Sequence, residues 1–296
     1  MIKANFGWIP YEIEFENRVF SLSLLPEYSK NVSYINESKN PVDNYYYPPI
    51  ENCYKVNLID NSEEKIPNTQ REAFSYPLPV THQIEIKISN KKYNIQFMNF
   101  LIYFIGFLYG YRTQIQDINI DGRFKAESSI YHAPPPSLWL ENNIYKVIKF
   151  WNKLNRRDII VITNALFLYN RTEMYKWDWE SFIIEYQVFD AIYKLANNNC
   201  SIKAKSHSKR FDVLCNKFNI LYDKEVIKTI IKLRNDLIHE VLWDGKLPTI
   251  ESLKGINHYH YLRRLNEKLI FAIMDFKGEF IEAPWSAHVT QIFDLE

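Results

Sequence analysis

Three consecutive prolines, Pro134, Pro135 and Pro136, restrict this chain more than any other feature of its sequence. Each fixes φ at about −65° and lacks a backbone N–H, so neither a helix interior nor a central strand passes through them. The hydrophobic pattern differs on the two sides. Before the prolines it has a period of two. Tyr11 to Phe15 alternates as YEIEF, Val19 to Leu25 as VFSLSLL, and His82 to Ile88 as HQIEIKI, with Ile84, Ile86 and Ile88 on one face. Val56 to Ile59 is a short apolar run, and NESKNPVDN, YPPIEN and DNSEEKIPN read as turns. Phe97 to Arg112 is the first helix, IQDINI (115–120) alternates again, and Asp121-Gly122 is a turn. Beyond Ser137 the period becomes 3.6, with helices expected over 138–154, 157–172, 178–197, 207–218, 223–243 and 257–280. The sequence therefore predicts an α+β protein. A β-rich, sandwich-like domain occupies residues 1–136, and an antiparallel helical bundle with short loops occupies 137–296.

Composition excludes several classes. With 47% apolar and 24% charged residues in 296, the chain is not intrinsically disordered. Cys53, Cys200 and Cys215 are odd in number, far apart and never spaced as CxxC, which argues against a disulfide scaffold or zinc ribbon and for a reducing cytoplasm. No secretory signal is visible at the N-terminus. The most apolar run, Phe100 to Tyr111, has twelve residues where a membrane span needs about 20, and reads as a buried helix. No Walker loop, GxGxxG or GxSxG occurs.

The net charge of +1 gives no general affinity for nucleic acid, so any basic surface is local. One exists: residues 201–234 hold nine basic and three acidic side chains. Lys205, Lys209, Arg210 and Lys232 within it are candidates for tracking a phosphate backbone, with His207 beside them. A solvated face is the plainer reading. The stretch leads into KLRNDLIHE (232–240). At about 100° per residue, Asn235 and His239 lie about 40° apart on one helix face, whereas Arg234 lies about 140° from His239. Histidine transfers protons near neutrality, arginine offers a permanent cationic fork to phosphate oxygens, and asparagine orients either. Together they suit RNA cleavage, in which the 2′-hydroxyl loses a proton, phosphorus gains negative charge and the leaving oxygen is protonated. That route needs no metal and does not operate on DNA, which lacks the 2′-hydroxyl. The helix offers one histidine for two proton transfers, and a two-fold dimer would double it.

RNDLIH resembles the R-x4-6-H signature of the HEPN superfamily (higher eukaryotes and prokaryotes nucleotide-binding domain), with Arg234, Asn235 and His239 at its arginine, polar and histidine positions. WDGKLPTIESLKG then separates the motif helix from a last helix, as in that superfamily. The whole chain is similar to ApeA-like proteins, in which a β-rich domain ending in an aromatic helix, a strand and a turn precedes a HEPN bundle. The segment QFMNFLIYFIGFLYGYRTQIQDINIDGRF carries that similarity here. The resemblance implies a metal-independent endoribonuclease without cofactor, a homodimer formed through the helical domain, and RNA, tRNA included, as substrate. It further implies a role in phage defence (abortive infection) or as a toxin, with a protein trigger or inhibitor. Some members are instead non-catalytic RNA- or protein-binding modules, in which the β-rich domain would sense a phage or host component. A subclass carries a tyrosine two residues beyond the histidine, where this chain has Val241.

Glu185 and Asp190, on the 178–197 helix, are candidate carboxylates to hold Arg234 in place. His258 and His260 form an H-x-H pair that lacks further metal ligands and reads as a helix start. Tyr45, Tyr46 and Tyr47 are either a stacking platform or a strand edge beside a Pro-Pro turn.

Overall fold

The computed structural model describes residues 2–47, 54–57, 59–60, 62–65, 76–88, 93–120, 122–132, 134–175, 177–243 and 258–283. Cys53, Asp121, most of the YPPIEN turn and the loop after Trp243 lie outside them.

The first part runs β1 (Ile2–Gly7), β2 (Phe15–Glu16), β3 (Phe20–Leu24), α1 (Tyr28–Ser38), β4 (Tyr45–Tyr46), β5 (Tyr54–Val56), β6 (Glu63–Lys65), β7 (Tyr76–Pro77), β8 (His82–Ile86), α2 (Ile95–Tyr109), β9 (Gln114–Ile115), β10 (Asn119–Ile120) and β11 (Phe124–Lys125). Five strands form one antiparallel sheet in the order β2-β3-β8-β1-β9, and the others pair as two-stranded ribbons. The period of two in HQIEIKI sets β8 at the sheet centre. Ile84 and Ile86 are buried, and Ile84 stands opposite Ala4 on one side and Leu22 on the other.

Several expectations for this part are corrected. Tyr28–Ser38, read as strand and turn, is helical, with Tyr28 and Ile35 buried. YEIEF pairs only at Phe15–Glu16, although Ile13 is buried. IQDINI splits at Asp117, whose positive φ breaks the strand into β9 and β10. β6 lies inside a stretch read as turn. The tyrosines of β4 make internal contacts: Arg123 covers the Tyr45 ring at 3.8 Å, and Tyr45 Oη donates to the Glu173 carbonyl.

Helix α2 is apolar and buried over most of its circumference, with Gln96, Asn99 and Tyr103 along one partly exposed face. Asn94 caps its start, accepting from the Gln96 N–H at 2.9 Å, and Gly110 ends it in the left-handed region. A side chain on Gly110 would meet Ser128 Oγ at 2.4 Å. Phe97 packs on Phe20 of the sheet and on Trp151 beyond the prolines, and Phe107 packs on Tyr169 and Phe271. One apolar core is therefore continuous across Pro136, with α2 at its centre.

The second part comprises α3 (Ser137–Lys153), α4 (Arg156–Arg171), a short turn (Thr172–Met174), α5 (Asp178–Cys200), α6 (His207–Lys217), α7 (Lys224–Asn235), a π-helical turn (Asp236–Glu240), α8 (His258–Ile273) and α9 (Glu279–Glu282). The expected helices 138–154, 157–172, 178–197 and 207–218 are present to within a few residues. Two are corrected: 223–243 changes winding after Asn235, and 257–280 is interrupted between Ile273 and Glu279. Among the described residues no helix is long and apolar enough to cross a membrane.

Candidate functional site

Helix α7 presents Val226, Ile227, Ile230 and Leu233 to the core, and the Asp223 carboxylate caps its start by accepting from the Glu225 and Val226 N–H groups. This face fixes where Arg234 and Asn235 stand. An ordinary α-helix would then carry His239 away from Arg234. Instead the backbone widens over Asp236–Glu240, and the Val241 N–H reaches back five residues to the Asp236 carbonyl. This wider winding turns the chain through less than 100° per residue, which narrows the angle between Arg234 and His239. Arg234 Nη1 lies 3.4 Å from His239 Nε2 and donates to Asn235 Oδ1 at 2.9 Å. Val241 closes the turn with φ of 56°, where a β-branched residue is strained.

The surface around this trio is built by α5 and α6. Tyr186 of α5 is buried and lies under the Arg234 guanidinium, 5.7 Å away. The first turn of α6, capped by Ser206, brings in His207 and Arg210. Stacking of Phe189 on Phe211 at 3.7 Å holds α6 against α5. Tyr186 Oη and His207 Nδ1 share a hydrogen bond of 3.1 Å, and Arg210 Nη1 donates to Asp190 Oδ1 at 2.6 Å. Burial pushes the Tyr186 phenol up, Asp190 adding to the effect while Arg234 and Arg210 oppose it. Burial also lowers His207, as do Arg210 and Arg234, against Asp190.

The residues expected from sequence distribute as follows. Arg234, Asn235 and His239 meet at one place: Arg234 half-buried, the other two exposed. Glu185 does not hold Arg234. It is fully buried and receives Arg263 Nη1 at 2.7 Å and Asn266 Nδ2 at 2.7 Å. Nor does Asp190, which is paired with Arg210. The reason is directional. On a helix Glu185 and Tyr186 point about 100° apart, and Tyr186 is the one turned toward α7. Lys205 and Lys209 are exposed. Lys232 is exposed and pairs with Asp236 at 2.7 Å. His260 Nδ1 is hydrogen-bonded to Tyr131 Oη at 2.6 Å. Sequence reasoning missed Tyr186. It lies on the buried apolar face of α5, between Phe182 and Phe189, where the hydrophobic period points to core.

Among the described residues no carboxylate pairs with Arg234. Its Nε is buried without a hydrogen-bond partner, as is Arg210 Nε, but the guanidinium is only half-buried and can present its Nη groups to an anion. No family model, curated protein or solved structure matches the chain.

Proposed function

We propose that this chain is a metal-independent endoribonuclease of the HEPN kind, its helical domain forming the bundle and its β-rich part serving to sense or restrain. The observation that supports this most is the meeting of Arg234, Asn235 and His239 through the π-helical turn. The sequence motif alone leaves the arginine and histidine on different faces. A local change of winding that brings a proton-transfer group beside a guanidinium lacking a carboxylate partner among the described residues suits phosphodiester chemistry.

In this reading Arg234 turns its fork to the non-bridging phosphate oxygens and offsets the charge that grows on phosphorus. His239 moves a proton, and Asn235 keeps the guanidinium aimed. Lys205, Lys209 and Lys232 guide the RNA backbone from the rim. The exposed Ile238, Val241 and Leu242 beside the motif give the helical domain an apolar surface for pairing with a second copy. A cytoplasmic role in abortive infection or as a toxin, under a protein trigger or inhibitor, follows from the resemblance.

Total RNA and tRNA incubated with purified protein in excess chelator test the proposal. Cleavage is expected at the same rate as in magnesium, and none by a folded His239→Ala variant. Equal cleavage by that variant, or a requirement for a divalent ion, contradicts it. An inactive wild-type chain that still binds RNA would instead fit a non-catalytic module.

A further inference from the structure

We propose that Tyr186 is a positioning residue of this site: its ring holds the Arg234 guanidinium in place without neutralising it, so that the whole positive charge meets the phosphate. The inference rests on the endoribonuclease reading and names a residue of α5 that acts through Arg234.

An arginine that answers a phosphate meets two opposed demands. Its fork must be held still, because a long free side chain loses rotamer freedom when it binds. A carboxylate would hold it, but would also offset the charge that the phosphate is to meet. The carboxylates of this part of the molecule are engaged elsewhere. Asp190 takes Arg210 at 2.6 Å, Asp236 takes Lys232 at 2.7 Å, and Glu185, next to Tyr186 in the chain, takes Arg263 at 2.7 Å. Around Arg234 stand Asn235 Oδ1, accepting from Nη1 at 2.9 Å, and His239 Nε2, 3.4 Å from the same nitrogen. The third neighbour is the Tyr186 ring, its centre 5.7 Å from the guanidinium carbon. The face of an aromatic ring attracts a cation within about 6 Å and leaves its charge intact.

The ring is itself fixed. Tyr186 is buried, and the rings of Phe182 and Phe189 from α5 and Phe211 from α6 surround it at 6.3, 5.9 and 6.2 Å. Its hydroxyl is pinned as well. Arg210 Nη1, which can only donate, lies 3.4 Å from His207 Nδ1 and marks that nitrogen as an acceptor, so Tyr186 Oη donates to it at 3.1 Å. Burial, with Asp190, raises the phenol against the pull of Arg234 and Arg210, so the ring stays uncharged rather than becoming a phenolate that would pair with the guanidinium. A phenylalanine would fill this core position equally well. The hydroxyl adds a tie to α6, and the ring passes that order on to Arg234. The arrangement lies within one chain and leaves the Nη groups of the half-buried guanidinium to the cleft between two copies.

The test weakens the ring face while keeping its shape. Chelator-resistant RNA cleavage is followed for the wild type, for Tyr186→Phe, and for full-length protein carrying monofluoro- or trifluorophenylalanine at position 186, with thermal melts alongside. Fluorine draws electron density from the ring face and loosens its hold on a cation at nearly unchanged volume. Along the series from phenylalanine to the trifluoro ring, kcat is expected to fall stepwise by about 5-fold in all. Because Arg234 acts on charge that grows in the transition state, KM should stay within about 2-fold, and the melting temperature should not move. A flat kcat across the series with an active wild type overturns this inference alone. A fall in kcat that tracks a fall in melting temperature, or that appears only in KM, overturns it too, since the ring would then serve packing or RNA binding. A wild type that cleaves no RNA overturns the endoribonuclease reading and this inference with it, and is distinguishable because position 186 is then unaltered.

Discussion

Two arginines flank helix α5, and each lies near a tyrosine ring. Arg263 is buried. Its guanidinium lies 4.1 Å from the Tyr169 ring, donates from Nη1 to Glu185 Oε1 and to the Tyr169 carbonyl, and pairs through Nε with Glu173 at 3.1 Å. Around it, Glu267 accepts from Tyr169 Oη at 2.8 Å and is bonded to His132, whose other ring nitrogen meets the Leu108 carbonyl. This ionic knot ties α4, α5 and α8 to the segment before the prolines. Arg234, over Tyr186, has an asparagine and a histidine instead of carboxylates. Adjacent residues of α5, Glu185 and Tyr186, thus serve opposite ends. A compensated guanidinium holds the fold, and one without a carboxylate partner among the described residues is available to an incoming anion.

The sharpest way to break this contrast is to replace each arginine by methionine. Arg263→Met strands Glu185 in the interior and is expected to cost about 3–5 kcal/mol in denaturant unfolding. Arg234→Met is expected to change stability by no more than about 0.5 kcal/mol while RNA cleavage is lost. The reverse order of stabilities would assign the structural role to Arg234.

A smaller effect sharpens the same comparison through pH. Burial raises the Glu173 carboxyl, but Arg263, Lys125 and Tyr259 outweigh it and hold it at about 2, below the ordinary 4.5. A carboxyl depressed in the folded state adds stability above its unfolded pKa, and that stability fades as pH falls toward the folded value. Unfolding free energy should therefore decline between about pH 4.5 and 2, and Glu173→Gln should flatten that decline. An unchanged acid slope in the variant would place the sensitivity elsewhere in the knot.

The sequence made the two ends of this comparison visible to different degrees. The 3.6 periodicity after Pro136 located the helices because each has a continuous apolar stripe, as Phe182, Tyr186 and Phe189 show on α5. Helix α1 was missed because NESKN and neighbouring polar residues look like a turn until Tyr28 and Ile35 are seen to be buried beneath them. At the site, RNDLIH announced its residue types, but not that a π-helical turn would bring His239 back to Arg234. Winding is set by the backbone, and no side-chain pattern in DLIHE encodes it plainly. The carboxylate assignments went to the wrong arginine because neighbours on a helix diverge by about 100°, and sequence spacing does not fix the helix's rotation. Arg263, on a helix of expected position, gave no signal of burial, since a charged residue ordinarily reads as surface.

The chemistry of the cut ends is the most direct measurement. RNA cleaved by the wild-type protein in chelator is predicted to carry 2′,3′-cyclic phosphate and 5′-hydroxyl termini, and a substrate with deoxyribose at the cleaved position should stay intact. Absence of cleavage, 5′-phosphate termini, or cleavage at the deoxyribose position would contradict the account.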